Sequence, residues 1–393
     1  MKLAIIMPPI NPMPPIVGAG LERLIDIFLR HNEIAGNPLE ITVFSRFDAR
    51  SEAAAKEFSH SEFVYLDTTR SEPYSNRVEC FFAARVGKRP MRFDYLRELK
   101  KALRGSDFDE ILLANCGEFA KAIAKFTKKL PILYERGLIS SSLRSDFGYI
   151  KKFIFSSEFS KNAAIAAGVP EERASVVYDC VDTKLFDSSR FSAIRAEKRA
   201  KYGLSDDDIL LVFVGRLVPD KGVIELVKAV AQSSWNTSKL KLLLVGSAQP
   251  GEDVRDEYRE MLESASPEWK IIFIGSVKPT STARFLARAD IAVIPSIWDE
   301  PAGIPVLEPM ATGIPLIISD SGALGEYTAQ LGEYCTIVKR GFGYVGGLSK
   351  AIDSMAGKIS DPEFRAAASE ALRNAAMKFD AAEFYSALSE KLS

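Results

Sequence analysis

Two glutamates and two cations in the second half of the chain are spaced for work on a phosphorylated ligand. The first group is Asp299-Glu300-Pro301-Ala302-Gly303-Ile304-Pro305-Val306-Leu307-Glu308. It follows an apolar run and opens a helix. Pro305 suits the first helical turn, where its missing N–H costs little. Gly303 lets backbone approach a ligand closely, with Ala302 in the same loop. Free amides near Gly303, Ile304 and Val306 are expected to face an anion, helped by the helix dipole. Glu308 lies one turn in, on the face of Ile304, where it can accept hydrogen bonds from ribose hydroxyls. Glu300 stands at the loop entrance, nearer the sugar end. Taken alone, two such glutamates are equally well an ordinary helix start.

The second group is Gly215-Arg216-Leu217-Val218-Pro219-Asp220-Lys221-Gly222. Arg216 and Lys221 flank an expected helix N-terminus, where fixed cations and amides can hold a diphosphate and stabilise it as it leaves. A surface turn with solvated charges is the plainer alternative. A third group is the loop Pro8–Gly20, leading into Gly20-Leu21-Glu22-Arg23. A glycine at a strand-to-helix turn admits a phosphate or sugar. The pattern is not G-x-G-x-x-G, which disfavours a nicotinamide or flavin site.

The elements that must position these groups read as alternating strands and helices. Strand-like runs are Leu3–Met7, Ile41–Phe44, Phe63–Leu66, Ile111–Leu113, Ile132–Tyr134, Phe153–Phe155 and Ser175–Tyr178. In the second half they are Ile209–Val214, Leu240–Val245, Ile271–Ile274, Ile291–Ile294, Leu316–Ile318 and Thr336–Val338. The runs are continuous rather than alternating, as for parallel strands buried on both faces. Leu21, Leu24, Ile25 and Phe28 follow helical spacing. Gly215, Gly246, Gly275, Pro295 and Gly322 punctuate strand ends, where open α/β sheets bind ligands. A charged helix over Arg190–Lys201 and the turn Ser205-Asp206-Asp207-Asp208 mark a boundary between two doubly wound domains. Asp107-Phe108-Asp109 and Asp206-Asp207-Asp208 read as turns rather than metal-binding pairs.

Composition narrows the class. The 393 residues balance 51 basic against 52 acidic groups, a net charge of −1 that gives no argument for nucleic acid. Only His31 and His60 are present, so a histidine-based zinc site is not expected. Cys80, Cys116, Cys180 and Cys335 are widely spaced, as reduced thiols in a cytoplasmic protein are. No export signal or membrane-length apolar run is visible. Basic residues concentrate over Arg77–Arg104, with Phe81, Phe82, Met91 and Phe93 interleaved. That stretch is either a solvated helix face with core aromatics or a surface for a phosphate-bearing acceptor or for anionic lipid, the latter a peripheral contact at the inner face of a membrane.

Gly20-x-Glu22-Arg23, Gly215-Arg216 with Lys221-Gly222, Gly275-Ser276-Val277, and Glu300-x7-Glu308 followed by Pro309-Met310-Ala311-Thr312-Gly313-Ile314-Pro315 together resemble glycosyltransferase family four. The resemblance spans nearly the whole chain and is most specific over 209–327. It implies an α/β fold of the GT-B type, two doubly wound Rossmann-like domains facing across a cleft. An acceptor-binding domain is expected over 1–185 and a nucleotide-sugar-binding domain over 206–378, with the closing helix 379–393 packing back on the first. The resemblance further implies a retaining hexosyltransferase using a nucleotide diphosphate sugar, UDP by family frequency, without metal or other cofactor. Its acceptor would be a glycan or lipid-linked molecule in cell-surface polysaccharide or glycoconjugate synthesis.

On that pattern Arg216 and Lys221 hold the diphosphate, Glu300 contacts the transferred sugar and Glu308 the ribose. Gly20, Gly215, Ala302, Gly303 and Ile304 line the donor, and backbone around Ser276 and Val277 meets the base. Two departures stand out. Leu112 and Ala114 occupy places where many members carry histidines, which leaves Asn115, Glu135 and Arg136 as acceptor-side candidates. Asp179-Cys180 replaces a usual Asn-Gly near the hinge. Rival readings are a nucleotide-sugar epimerase or disaccharide phosphorylase on the same fold, or a non-catalytic partner protein of that fold. Few ionisable groups of the histidine type argue against the epimerase.

Overall fold

The computed structural model describes residues 1–16, 20–66, 93–191, 203–205, 208–235, 239–248, 256–265 and 271–393. Most of Arg77–Arg104, the expected helix beyond Phe191, and Asp206 and Asp207 lie outside the described residues. The chain divides into two compact units. One comprises Met1–Tyr178 with Ala382–Ser393, the other Asp179–Ala381.

Among the described residues, each apolar run named above is a strand, its ends shifted by no more than two residues. The first unit holds β1 (Lys2–Ile6), β2 (Glu40–Arg46), β3 (Ser61–Leu66), β4 (Glu110–Ala114), β5 (Ile132–Glu135), β6 (Lys152–Phe155) and β7 (Ala174–Val176). They form one parallel sheet in the order β3-β2-β1-β4-β5-β6-β7. The second unit holds β8 (Ile209–Val214), β9 (Leu240–Val245), β10 (Ile271–Gly275), β11 (Ile291–Ile294), β12 (Leu316–Ser319) and β13 (Cys335–Val338). Its parallel order is β10-β9-β8-β11-β12-β13.

Helices on both faces explain why the strands read as unbroken apolar runs. In the second unit Leu211, Leu242, Val293 and Ile317 of the sheet share a core with Leu226 and Val230 of the helix Val223–Gln232. Leu348, Ile352 and Met355 of the helix Tyr344–Ile359 join the same core. Each such side chain contributes about 2 kcal/mol by leaving water. In the first unit Ile6, Phe44, Leu113, Leu133 and Phe153 make the equivalent core.

Both strand orders reverse direction beside the first strand of the unit, between β1 and β4 and between β8 and β11. Crossovers leave in opposite directions at such a point, so the loops at the strand carboxyl ends part and leave a crevice. The backbone there is brought close by glycine. Gly246 has φ +138, and a Cβ on it would stand 1.9 Å from the Gly215 carbonyl oxygen. Its amide donates to the Gly275 carbonyl at 2.9 Å.

The helix Ala381–Leu392 packs within the first unit. The Tyr385 hydroxyl donates to Asn32 Oδ1 at 3.0 Å, its ring lies 5.2 Å from that of Phe28, and the Lys152 ammonium caps the Lys391 carbonyl at 3.1 Å. Asp107-Phe108-Asp109 is a loop just before β4 rather than a hydrogen-bonded turn, and its carboxylates bond distant segments. Asp109 accepts from the Lys2 amide at 2.7 Å and Asp107 from the Lys129 ammonium at 3.3 Å. Within the described part of the basic run, Arg97 and Lys101 pair with Glu98 of their own helix at 3.2 and 2.9 Å.

The close approach at Gly246 predicts that Gly246→Ala destabilises the second unit by about 2 kcal/mol or more. Gly357→Ala, in open space on the helix Tyr344–Ile359, should instead be neutral or stabilising by about 0.5–1 kcal/mol. Urea midpoints of the two variants check this, and an unchanged midpoint for Gly246→Ala would contradict the packing described.

Candidate functional site

Lys221 and Glu300, far apart in sequence, meet at the reversal point of the second sheet. Lys221 closes the short 3-10 turn Pro219–Lys221 after β8, and Glu300 follows β11. The ammonium donates to Glu300 Oε1 at 2.6 Å, and both side chains are largely buried, 15% and 5% exposed. The Ser296 hydroxyl donates to the same oxygen. Lys221 also lies 5.0 Å from the centre of the Trp298 ring, an attractive placement for a cation.

Backbone contacts join the two loops. The Ile297 amide donates to the Asp220 carbonyl at 2.9 Å. Gly222, at φ +67, comes so near that a Cβ would stand 1.9 Å from the Pro295 carbonyl oxygen. The far side of the Glu300 loop is tied to the segment after β12. Its amide donates to Ser321 Oγ at 3.1 Å, and its carbonyl accepts from the Ala323 amide at 2.7 Å. Arg216, by contrast, is exposed, and among the described residues no ion pair engages it. Its neighbours are pinned, Gly215 to the Val245 carbonyl at 3.0 Å and Leu217 to that of Ser247 at 3.1 Å.

The helix Ile304–Thr312 starts beside these loops, with Gly303 as its N-cap and Pro305 in its first turn. Ala302, Gly303 and Glu308 are buried, and Ile304 is half-buried. One expectation is corrected. The Val306 amide is not free for an anion, since it donates to the Gly303 carbonyl at 3.0 Å, tightening the first turn. The close approach at Gly303 is to the Tyr327 ring, 2.5 Å from where a Cβ would stand. Ser276 and Val277, both half-buried, follow directly on β10.

In the first unit the acceptor-side candidates also gather at the reversal point. Asn115, at φ +51 after β4, accepts the Arg136 amide on its side-chain oxygen at 2.7 Å. The Arg136 guanidinium lies against Gly20, Nη1 being 2.8 Å from where a Cβ would stand. Glu135, 1% exposed at the end of β5, accepts from the Gly137 amide at 3.3 Å. Beside them Glu22 is buried, and burial pushes its carboxyl above the ordinary value. A hydrogen bond from Asn11 and the charge of Arg136 work the other way.

Sequence reading missed Ser296, Trp298, Ser321 and Arg340. Trp298 precedes Asp299-Glu300 directly, and that adjacency was a usable signal. Arg340 follows β13 and meets the loop only through the order of the strands. Among the described residues, no group of three or more histidine, cysteine, aspartate or glutamate side chains is placed to hold a metal ion.

Removing one partner of a buried pair leaves an uncompensated charge. Lys221→Met is therefore expected to destabilise the fold by on the order of 3 kcal/mol, whereas Arg216→Ala should shift it by no more than about 0.5 kcal/mol. Denaturant unfolding of both variants tests the contrast, and equal losses would refute it.

The glycosyl transferases group 1 family model matches residues 194–373. An uncharacterized glycosyltransferase of Methanocaldococcus jannaschii is 32% identical over 157 residues, 40% of this chain and 39% of that relative. The chain thus spans less than half of that relative's length. The spore coat protein SA of Bacillus subtilis is 26% identical over 332 residues, 82% of this chain and 81% of its own. Among solved structures, HepE of Anabaena in complex with UDP and glucose superposes with a TM-score of 0.74 at 18% identity, covering 100% of this chain and 99% of that one. With its two parallel Rossmann-like sheets, this chain has the GT-B fold, and its residues 194–373 are similar to the glycosyl transferases of group 1.

Proposed function

We propose that this protein is a retaining glycosyltransferase. It moves a hexose from a nucleotide diphosphate sugar, with UDP as the nucleotide, to a glycan or lipid-linked acceptor in cell-surface polysaccharide or glycoconjugate synthesis. The observation that carries this reading is the buried Lys221–Glu300 pair at the reversal point of the second sheet, with exposed Arg216 on the same β8 loop. The UDP and glucose bound by HepE support the choice of donor.

In this reading Arg216 and Lys221 hold the diphosphate. Amides at the start of the helix Ile304–Thr312 add to their charge. Glu308 accepts from the ribose, Glu300 from the hexose, and the backbone of Ser276 and Val277 meets the base. The bond between the sugar carbon and the diphosphate oxygen breaks as the acceptor oxygen attaches on the same face. The acceptor's proton passes to the leaving diphosphate oxygen, so a histidine base is not needed. Cations of the chain neutralise the diphosphate, and no metal or other cofactor takes part. Asn115, Glu135 and Arg136 of the first unit face the acceptor. The work is done in the cytoplasm, with lipid-linked acceptors met at the inner face of the membrane. Among the described residues no helix is long and apolar enough to cross one.

Because Arg216 is exposed, its loss should leave the fold intact. Arg216→Ala is expected to lower turnover of a UDP-hexose by about 10²-fold, and unchanged turnover would remove its role. Proton NMR of the product should show the anomeric configuration of the donor. Inversion would overturn the retaining mechanism, and isomerised donor without transfer would point to an epimerase. Chelator added to the assay should not change the rate.

A further inference from the structure

We infer that Arg340 is a positioning residue for this reaction, anchoring the loop that aligns Lys221 and Glu300. The inference rests on the donor site proposed above. Arg340 stands just beyond β13 and divides its side chain between two strand-end loops, those after β11 and β12. Nη1 donates to the Ile297 carbonyl at 3.0 Å and Nη2 to Asp299 Oδ1 at 2.6 Å. Nε donates to Asp320 Oδ1 at 3.2 Å, and Nη2 also reaches the Asp320 carbonyl at 3.1 Å. The Arg340 amide secures the same Asp320 oxygen at 2.8 Å. One guanidinium therefore ties together the segments that follow β11, β12 and β13.

What it holds is decisive for the site. Ile297 and Asp299 flank Trp298, whose ring faces the Lys221 ammonium, and Asp299 precedes Glu300. Apolar packing does little to fix this loop, since Ile297 and Trp298 are 41% and 38% exposed. Polar tethers set its position instead. Glu308, within a buried helix, needs no such tether. Loss of Arg340 should therefore disturb the diphosphate and sugar end of the donor while sparing the nucleoside end. A lysine cannot replace it, because one ammonium lacks the planar fork that reaches separate acceptors.

The test uses Trp298 as its own reporter, in a background carrying Trp235→Phe and Trp269→Phe. Arg340→Ala is expected to raise acrylamide quenching of Trp298 about twofold, as a freed loop exposes the ring. Turnover of a UDP-hexose should fall about tenfold or more, with Arg340→Lys falling nearly as far. Affinity for uridine, which lacks the diphosphate, should change by less than about threefold. Asp299→Asn, which weakens one arm and keeps the rest, should lie between parent and Arg340→Ala in both readouts. Unchanged quenching, or a loss of uridine affinity parallel to the loss of turnover, would overturn the inference. The quenching arm needs no substrate. If the parent protein turned over no nucleotide sugar, the donor reading would fall while quenching still decided the anchoring.

Discussion

An ammonium and a carboxylate withdrawn from water each cost several kcal/mol, and only close contact with added hydrogen bonds repays that cost. The pair of Lys221 and Glu300 meets those terms, with Ser296 as a further donor and the Trp298 ring against the cation. Because the pair tolerates little displacement, the loops after β8 and β11 must keep one geometry. Much of the surrounding detail follows from that demand. Gly222 makes room for the Pro295 carbonyl, Asp220 accepts the Ile297 amide, and Ser321 takes the Glu300 amide. Strand order puts β8 and β11 side by side, so the crevice and the charges arise at the same place.

The second unit divides its labour between rigid and tethered parts. Glu308 and the helix start are held by core packing, whereas backbone hydrogen bonds fix the glycines at the ends of β8, β9 and β10. Much of the segment from Ser296 to Glu300 is exposed, and it is held by hydrogen bonds to Asp220 and Ser321 and from Arg340. Arg216 is different again. It extends from a backbone fixed on both sides and keeps its charge available. In the reading proposed above, the leaving diphosphate draws on that charge, which a buried ion pair alone would not supply.

The first unit repeats the topology with different chemistry. Gly20, Asn115 and Arg136 come from segments after three neighbouring strands, β1, β4 and β5, and gather at its reversal point. No histidine lies among them. Burial of Glu22 beside them favours its neutral form, and the guanidinium of Arg136 moderates the effect.

Length and spacing of apolar runs determined the strands, and the glycines and Pro305 marked where loops turn into helices. Those are local matters, set by which side chains can cover both faces of a pleated strand and which backbones can turn. The same local reading drew attention to Arg216, Lys221, Glu300 and Glu308, because their residue types and their nearness to strand ends are visible along the chain. It erred on the Val306 amide, which a tightened helical turn consumes, and it did not foresee that Tyr327, from a later helix, packs against Gly303. Only the tertiary structure decided that Lys221 would bond Glu300 and that Arg340 would clasp the loop between them. Those contacts depend on which strands become neighbours, and sheet order is settled by crossovers and packing that leave no periodic trace in the chain.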